Sequence, residues 1–388
     1  MTKKRSLSID ITKGAAIIAI VLGHIAFEYP SSSLVSSGVL LFGLWHVAVF
    51  FLVAGFFIKD DQLIQPKLWF KKKFASLYLK ILYFYIPAVL LHNVFIRIGW
   101  YSLNSTELVI HTYSWINLVK QTVMTICLGG REPIVGAMWF VYVLFMALIG
   151  LSILSWIVRK VTKDDKQYEW MRFISLLAMC IIAGILSNKY DMTIRRFSNT
   201  FTAMLLIYIG KVMYQRMTLS FDNGYMAIAC ALVAFEVASM LGGVSLNGNE
   251  YNDILQLIVA APAVLYIIMF IGSYYWKPTA VKQLLLAALA IFPIICLFYK
   301  KRNIQSYAYR ELETFGRYSL EIYVFHYFLI QNCNMTIMGD YIKISGNHCF
   351  EILVSLIISL IIAYICVLAS SLIHESKILS FLLLGNRK

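Results

Sequence analysis

Membrane-length apolar stretches recur along the whole of this 388-residue chain and constrain its fold more than any other feature. Sixty per cent of the residues are hydrophobic, only 14% are charged, and the mean hydropathy is +0.74. A helix needs about 20 apolar residues to cross a bilayer. Such stretches begin near residues 14, 38, 77, 136, 172, 200, 224, 254, 281, 318 and 350. This pattern predicts an all-α, polytopic membrane helix bundle that forms a single domain over residues 1–388.

The net charge of +14 comes largely from basic clusters that lie between the apolar stretches. Such clusters orient membrane helices, because cytoplasmic loops carry an excess of Lys and Arg. The N-terminus is therefore predicted to be cytoplasmic, and nucleic acid is not expected as a partner. Basic groups beside a membrane also suit an anionic cytosolic ligand, such as a phosphate-bearing donor. The clusters are Lys3-Lys4-Arg5, Lys71-Lys72-Lys73, Arg159-Lys160 and Lys300-Lys301-Arg302.

Two stretches leave the number of crossings open. Residues 108–128 are too polar for a clear span, and a crossing there would export the basic loop at 159–172, so we place them at the membrane interface. Residues 281–299 are apolar enough to cross, but a crossing would put the basic residues between 300 and 317 outside. We therefore expect ten or eleven transmembrane helices, and the charge distribution favours ten.

The seven cysteines give no sign of a metal site. They lie mostly in apolar stretches, at wide spacings and without a CxxC pair. Packing thiols are therefore a better interpretation than metal ligands or disulfides, and no metal is expected.

The first apolar stretch carries three ionisable residues on one helix face, namely Asp10, Lys13 and His24. The eleven steps from Lys13 to His24 make three turns plus about 20°, and Asp10 lies about 60° from Lys13. Lys13 and His24 are then roughly 16 Å apart along the axis, with Lys13 near the surface and His24 towards mid-depth. Ionisable groups inside a membrane usually face a protein interior or a wet cavity and carry function. The alternative is a structural histidine that bonds to a neighbouring helix.

Three further segments combine aromatic residues with histidine or glycine inside apolar stretches. They are Trp45-His46-Val47-Ala48-Val49-Phe50-Phe51-Leu52-Val53-Ala54-Gly55, Met138-Trp139-Phe140-Val141-Tyr142 and Gly316-Arg317-Tyr318-Ser319-Leu320-Glu321-Ile322-Tyr323-Val324-Phe325-His326. With the first span, they resemble in order the motifs of the acyltransferase 3 superfamily of integral-membrane O-acyltransferases, over residues 8 to 330. The resemblance is nearest to the branch that includes fucose 4-O-acetylases and capsular polysaccharide O-acetyltransferases. Val47-Ala48 and Ala54 replace the family's Met-Pro and serine.

The resemblance implies that His24 is the base that takes the proton of an acceptor hydroxyl as its oxygen attacks an acyl thioester. Imidazole suits this role near neutral pH. It also implies that Lys13 meets the cofactor or the developing oxyanion, and that Asp10 orients or charge-balances Lys13. Asp10 cannot itself orient His24, because about 21 Å of helix separates the two. A residue from another span must do any orienting.

The donor contacts depart from the family pattern. Many members carry an R-x-x-R pair at the cytoplasmic start of the third span, thought to meet the phosphates of the donor. The corresponding stretch is Lys71-Lys72-Lys73-Phe74-Ala75-Ser76, so Ser76 stands at the second basic position. The resemblance leaves Lys72 and Lys73 as candidate phosphate contacts, without the bidentate fork of arginine. Lys80 is a candidate for compensating the loss.

Five residues are candidates for contact with the acceptor, and each has a plainer alternative. An interhelical hydrogen bond would also explain a buried histidine or tyrosine, and packing or interface anchoring would explain the aromatic residues. For the last two of the five, a structural or site-lining role is favoured over catalysis. The five are His46, Trp139, Tyr142, Tyr323 and His326.

The expected function is a membrane O-acetyltransferase that moves acetyl from acetyl-CoA to a hydroxyl of a surface polysaccharide or its lipid-linked precursor. The expected partners are acetyl-CoA, the glycan acceptor and membrane lipids, and the expected location is the bacterial plasma membrane. The main alternative is a carrier or flippase for a lipid-linked glycan, in which buried charges mark a transport path. Carriers often show internal repeats or symmetrically broken helices, and the sequence shows neither. A catalytically inactive sensor is a third alternative, against which Asp10, Lys13 and His24 argue together.

Overall fold

The computed structural model describes residues 7–26, 45–99, 111–128, 132–189, 192–216, 261–262, 265, 302–332, 336–345 and 347–376. Within these ranges the regular elements are helices, and no strand occurs. A π-helical turn, Phe74–Tyr78, and a 3-10 helix, Pro133–Met138, connect some of them. The α-helices are α1 Leu7–Ala26, α2 Ala48–Gly55, α3 Asp60–Leu63, α4 Pro66–Lys73, α5 Leu79–Leu90, α6 His92–Arg97, α7 Trp115–Leu128, α8 Trp139–Val161, α9 Asp165–Lys189, α10 Met192–Arg216, α11 Arg302–Arg317, α12 Ser319–Asn332, α13 Thr336–Ser345 and α14 His348–Glu375.

Several of these helices have the length and composition of membrane spans. In the described part of the chain, three segments qualify: Ile134–Val161, Asp165–Ile185 and His348–Glu375. The pair Pro66–Tyr78 and Leu82–Leu90, bent by 48°, makes a fourth if it is counted as one broken span. The prediction of an all-α polytopic membrane protein is confirmed. The spans expected to begin near 224, 254 and 281 fall almost wholly outside the described residues, and the total of ten or eleven remains a prediction.

Helix α7 occupies the stretch that we placed at the membrane interface. Its 14 residues reach only about 21 Å, which is less than the roughly 30 Å of a hydrocarbon core. Two tyrosine hydroxyls, from Tyr78 and Tyr142, donate to carbonyls near its C-terminal end. A helix of this length with one apolar face exposed suits a position along the membrane surface. The exposed apolar residues are Trp115, Ile116, Val119, Val123 and Ile126.

Helix α1 lies in the interior of the bundle. The consecutive residues Ile17, Ile18, Ala19 and Ile20, which project from different sides of it, are at most 7% exposed. The helix packs against α2, α11, α12 and α14. A helix that is covered in this way belongs to the core of a protein rather than to its lipid-facing layer. The ionisable stripe of the first span therefore lies inside the protein.

Backbone contacts through glycine hold α1 against α11. A Cβ atom at Gly14 would overlap the backbone carbonyl of Leu312, and one at Gly316 would overlap the carbonyl of Asp10. Small residues permit this close approach between membrane helices. Since position 14 meets 312 and position 10 meets 316, the two helices run antiparallel. Gly14 of the first span and Gly316 at the start of the last motif thus allow direct backbone contact between α1 and α11.

This packing determines where the polar helix α11 lies. Its first residue, Arg302, precedes Leu312 by ten positions and so lies roughly 15 Å towards the His24 end of α1. The charge distribution predicted that the basic residues between 300 and 317 all stay at the cytoplasmic side. The structure shows α11 packed along α1, and the side of the membrane on which its basic residues lie stays a prediction. One face of this amphipathic helix is buried against α1. The opposite, polar face is suited to line a wet cavity.

Candidate active site

Asp10 and Lys13 form an ion pair on α1. Lys13 Nζ lies 2.9 Å from Asp10 Oδ1, as expected for side chains three residues apart on a helix. The aspartate side chain is only 4% exposed, whereas that of the lysine is 20% exposed. Burial of the carboxylate beside its cation avoids the cost of an uncompensated charge. The accessible part of the pair is therefore the ammonium group.

The His24 ring lies among aromatic side chains of α12. Its centroid is 5.1 Å from that of His326, with the two planes at 44°, and 5.0 Å from that of Tyr327, edge to face. His46, just before α2, is close enough to His24 to interact with it electrostatically. The structure therefore brings together three histidines that are up to 302 positions apart in the sequence.

Tyr323 anchors α12 to the 3-10 helix that precedes α8. Its buried hydroxyl donates to the carbonyl of Ala137, and its ring lies 5.7 Å from that of His326. The Tyr327 ring packs on Gly136, where a Cβ atom would come within 3.3 Å of it. These contacts fix the height of the histidine cluster, which is level with the start of α8.

The other predicted acceptor residues lie on α8. Trp139 is half-buried and follows the Ala137 carbonyl by two residues, close to the level of the histidine cluster. Tyr142 is one turn further along, and its hydroxyl donates to the Cys127 carbonyl of α7 at 3.0 Å. Tyr142 thus holds α7 against α8. A role for either residue in binding an acceptor stays a prediction.

Lys72 and Lys73 stand beside the indole of Trp69. Their ammonium nitrogens are 5.9 Å and 4.5 Å from the centre of the Trp69 ring, within the range of cation–π contacts. The Trp69 indole donates to the carbonyl of Leu148 at 3.0 Å, which places it against the middle of α8. The basic triplet is therefore not at the cytoplasmic end of α8. Lys71 and Lys72 are exposed and Lys73 is half-buried, so the triplet lies at the surface of the bundle at this level.

Two helices give the same separation between the lysines and the histidine cluster. On α1, Lys13 and His24 are eleven residues apart, or roughly 16 Å. On α8, Ala137 marks the level of the histidine cluster and Leu148 marks the level of Trp69, again eleven residues or roughly 16 Å apart. Lys13 and the Trp69 side chain beside Lys73 are thus each about eleven helical residues away from the level of the histidine cluster, along α1 and along α8 respectively.

The depth of the histidine cluster in the membrane, which the sequence places towards the middle, stays a prediction. Arg159, in the last turn of α8, is 22 residues from Ala137, or roughly 33 Å along the axis. That length is about the thickness of a hydrocarbon core. A cytoplasmic Arg159, as the charge distribution predicts, would therefore favour a position of the cluster towards the outer boundary.

A second polar cluster, which the sequence analysis did not predict, lies between α3, α9 and α10. Arg172 donates to Asp60 at 2.7 Å and to Tyr168 at 2.9 Å, and it also pairs with Glu169. Lys211 lies 2.7 Å from Asp60. Burial alone would raise the pKa of Asp60, but the hydrogen bonds from Lys211 and Arg172 hold that pKa below its ordinary value. The charges balance, and they join three segments that are distant in sequence.

We expect Asp60→Asn to destabilise the protein. Arg172 and Lys211 are 0% and 1% exposed, so the substitution leaves two buried cations with one carboxylate. Because Asp60 itself is 39% exposed, the expected cost of about 2–3 kcal/mol is below that of breaking a fully buried pair. The measurement is the thermal midpoint in detergent, with the exposed neighbour Asp61→Asn as the matched control. Equal midpoints for the two variants would show that the cluster contributes nothing to stability.

At the opposite end of the bundle, a buried histidine joins three segments. His92 Nδ1 lies 2.9 Å from Glu132 Oε1, and its Nε2 lies 3.0 Å from the His111 carbonyl. The Tyr113 ring stacks on that of His92 with centroids 3.6 Å apart. Both ring nitrogens thus face acceptors, an arrangement that only the doubly protonated imidazolium satisfies. Burial lowers the pKa of His92, but Glu132 and the His111 carbonyl outweigh it and the net pKa is raised.

This pair predicts a pH-dependent stability. Since the pKa of His92 is raised in the folded state, its contribution is complete below the unfolded value of about 6.5 and is lost as the pH rises through the folded value. The thermal midpoint of the wild type should therefore fall over that range, and that of His92→Gln should fall less. His111→Gln is the control, because the ring of His111 is exposed and its carbonyl is unchanged. Parallel curves for wild type and His92→Gln would contradict the prediction.

Two features of the site escaped the sequence analysis for different reasons. Tyr327 comes directly after His326, the last residue of the last motif. Its place beside a predicted site residue on the same helix was the available signal. The signal for the second cluster was weak, because Arg172 and Lys211 lie on helices that carry other charged residues. Their carboxylate partners come from other segments, and no spacing in the sequence relates them.

One comparison with known proteins gives a family for this chain. A family model described as an acyltransferase domain matches residues 6–374. No curated protein and no solved structure matches the chain. Among the residues that the structure describes, no group of three or more His, Cys, Asp or Glu side chains could hold a metal ion.

Proposed function

The chain belongs to the acyltransferase family whose domain spans residues 6–374, and on that basis we propose that it is a membrane O-acetyltransferase. The donor is acetyl-CoA, and the acceptor is a hydroxyl of a surface polysaccharide or of its lipid-linked precursor. The location we propose is the plasma membrane of a bacterium. The family match supports an acyltransferase embedded in the membrane, and we add the donor, the acceptor and the roles of the site residues as a proposal.

The observation that carries the proposal is the spacing between the basic groups and the histidine cluster. Lys13 lies roughly 16 Å along α1 from His24, and Trp69, which the Lys73 ammonium contacts, lies a similar helical length along α8 from the level of the histidine cluster. The extended pantetheine arm of coenzyme A, which separates its phosphates from its thioester, has a length of that order. A donor whose phosphates meet the lysines would therefore present its acyl carbon near His24.

The lysines suit the phosphate end of such a donor. Lys72 is exposed and Lys73 is half-buried, and neither has a carboxylate among its contacts in the described residues. Their charges are therefore available for an anion. Lys13, paired with Asp10 and partly exposed, supplies a further cation on the route towards His24. The polar face of α11, which runs beside α1, is suited to keep that route wet.

The reaction that this arrangement favours is direct acyl transfer. His24 takes the proton from the acceptor hydroxyl while that oxygen forms a bond to the acyl carbon. The carbon–sulfur bond then breaks, and its electron pair leaves with the sulfur of coenzyme A. The proton on His24 passes to that thiolate or to water. An acceptor sugar would bind on the outer side of His24, near His46 and Trp139, with Tyr323 and His326 lining the site.

The position of the cluster suggests transfer across the membrane. The donor is cytosolic, whereas the histidine cluster lies near the outer boundary on the predicted orientation. An acyl group could thus pass from one face to the other through the protein, while coenzyme A remains on the cytoplasmic side. Esters found only on cytoplasmic intermediates would count against this part of the proposal.

The test of the function compares a deletion strain with the same strain carrying the wild-type gene. O-acetyl esters on the surface glycans are measured by NMR, and inverted membrane vesicles are supplied with radiolabelled acetyl-CoA. We expect the wild type to restore the esters and to place alkali-labile label on the glycan fraction. If the glycan itself fails to reach the surface in the deletion strain and no label is transferred, the carrier alternative is favoured.

A further inference from the structure

His326 has a fixed pattern of ring protons. Its Nδ1 lies 2.9 Å from the carbonyl of Ile322, one turn earlier on α12. A carbonyl oxygen can only accept, so Nδ1 carries the proton and donates. In the neutral ring, Nε2 then holds a lone pair and can only accept. The backbone of α12 therefore makes His326 an acceptor at Nε2.

That acceptor atom is buried and has no hydrogen-bond partner among the residues that the structure describes. The side chain of His326 is 0% exposed. A buried polar atom without a partner costs free energy, and in a native protein such an atom calls for an explanation. A role that arises only during the reaction is one such explanation.

The His24 ring lies at the distance that such a role requires. Two imidazole rings joined by an N–H···N hydrogen bond have centroids about 5 Å apart, because the two nitrogens are about 2.9 Å apart. The centroids of His24 and His326 are 5.1 Å apart. Asp10 is about 21 Å along α1 from His24, so Asp10 cannot be the group that positions the His24 ring.

We propose that His326 is the positioning residue of His24, and that its Nε2 accepts a hydrogen bond from the His24 ring during acyl transfer. This inference rests on the proposed function. When His24 takes the proton of the acceptor hydroxyl, its ring holds two protons, and one N–H then points to His326 Nε2. His326 keeps its own Nδ1 proton throughout. The acceptor oxygen forms its bond to the acyl carbon, coenzyme A leaves as the thiolate, and His24 gives up the proton it gained.

Two substitutions separate this role from a structural one. In His326→Asn, the amide can still donate to the Ile322 carbonyl, but no atom reaches the position of Nε2. In His326→Gln, the amide oxygen can occupy the position of Nε2 and accept. Transfer from radiolabelled acetyl-CoA to the glycan fraction is measured in inverted vesicles at matched protein levels, with the exposed His348→Asn as control.

We expect His326→Asn to lower kcat roughly 10- to 100-fold with little change in KM for acetyl-CoA, since misplacement of a catalytic group has effects of that size. His326→Gln should recover kcat to within about threefold of the wild type. Loss of activity in both variants, or wild-type activity in His326→Asn, would overturn the proposal. If His326→Asn fails to accumulate, the result for His326→Gln still decides. Absence of transfer by the wild type would instead refute the proposed function.

Discussion

His24→Ala should lower the rate of acyl transfer by about 10²- to 10⁴-fold while leaving the protein folded in the membrane. The magnitude is that of a lost general base, since the acceptor hydroxyl must then lose its proton to water. Donor binding should change little, because Lys13 lies roughly 16 Å away along α1, and Trp69, beside Lys73, lies a similar helical length along α8 from the level of the histidine cluster. The expected signature is therefore a large fall in kcat with an almost constant KM for acetyl-CoA.

The measurement is transfer from radiolabelled acetyl-CoA in inverted vesicles, with the amount of folded protein matched by size-exclusion chromatography. His24→Gln serves as a second variant, because glutamine can form hydrogen bonds but cannot take up the proton. Both variants should be equally impaired. The control is His374→Ala, since His374 lies near the far end of α14 and its nearest ionic partner, Glu321, is 3.8 Å away. Full activity in His24→Gln would show that acyl transfer does not need proton uptake by the His24 ring.

The ionisable stripe of the first span was the part of the site that the sequence could predict. A helix has a fixed angle and rise per residue, so the common face of Asp10, Lys13 and His24 follows from their positions alone. The structure adds that Asp10 and Lys13 form an ion pair. The proximity of His24 and His326 could not be derived in this way, because helical geometry says nothing about which helices are neighbours. The family resemblance named both residues without placing them together.

The packing of α11 against α1 could not be derived from the charge distribution. The excess of Lys and Arg in cytoplasmic loops describes segments that remain in water. Arg302 begins a helix that packs along α1 through Gly14 and Gly316, so its position is set by the fit between two backbones. The second polar cluster escaped for a related reason. Asp60 meets Arg172 across 112 positions, and only tertiary structure brings them together.

Gly14→Ala should destabilise the protein by about 3 kcal/mol or more, at or above the upper end of the usual cost of overpacking. The added Cβ would overlap the backbone carbonyl of Leu312, and a backbone atom cannot move aside as a flexible side chain can. The two helices must therefore separate or bend. Gly23→Ala on the same helix is the control, because a Cβ there would meet nothing within 4 Å. That control should be neutral or slightly stabilising, since alanine favours the helix.

Gly316→Ala alters the same contact between α1 and α11 from the other helix. Its Cβ would overlap the carbonyl of Asp10, so it should be about as costly as Gly14→Ala. Once one substitution has separated α1 from α11, the second meets an interface that is already open. The double variant should therefore lose less than the sum of the two single losses, which a double-mutant cycle on thermal midpoints in detergent measures. Strict additivity would show that the two glycines do not share an interface. Because the separation displaces Asp10 and Lys13 from their place in the bundle, the single variants that still fold should also show a raised KM for acetyl-CoA.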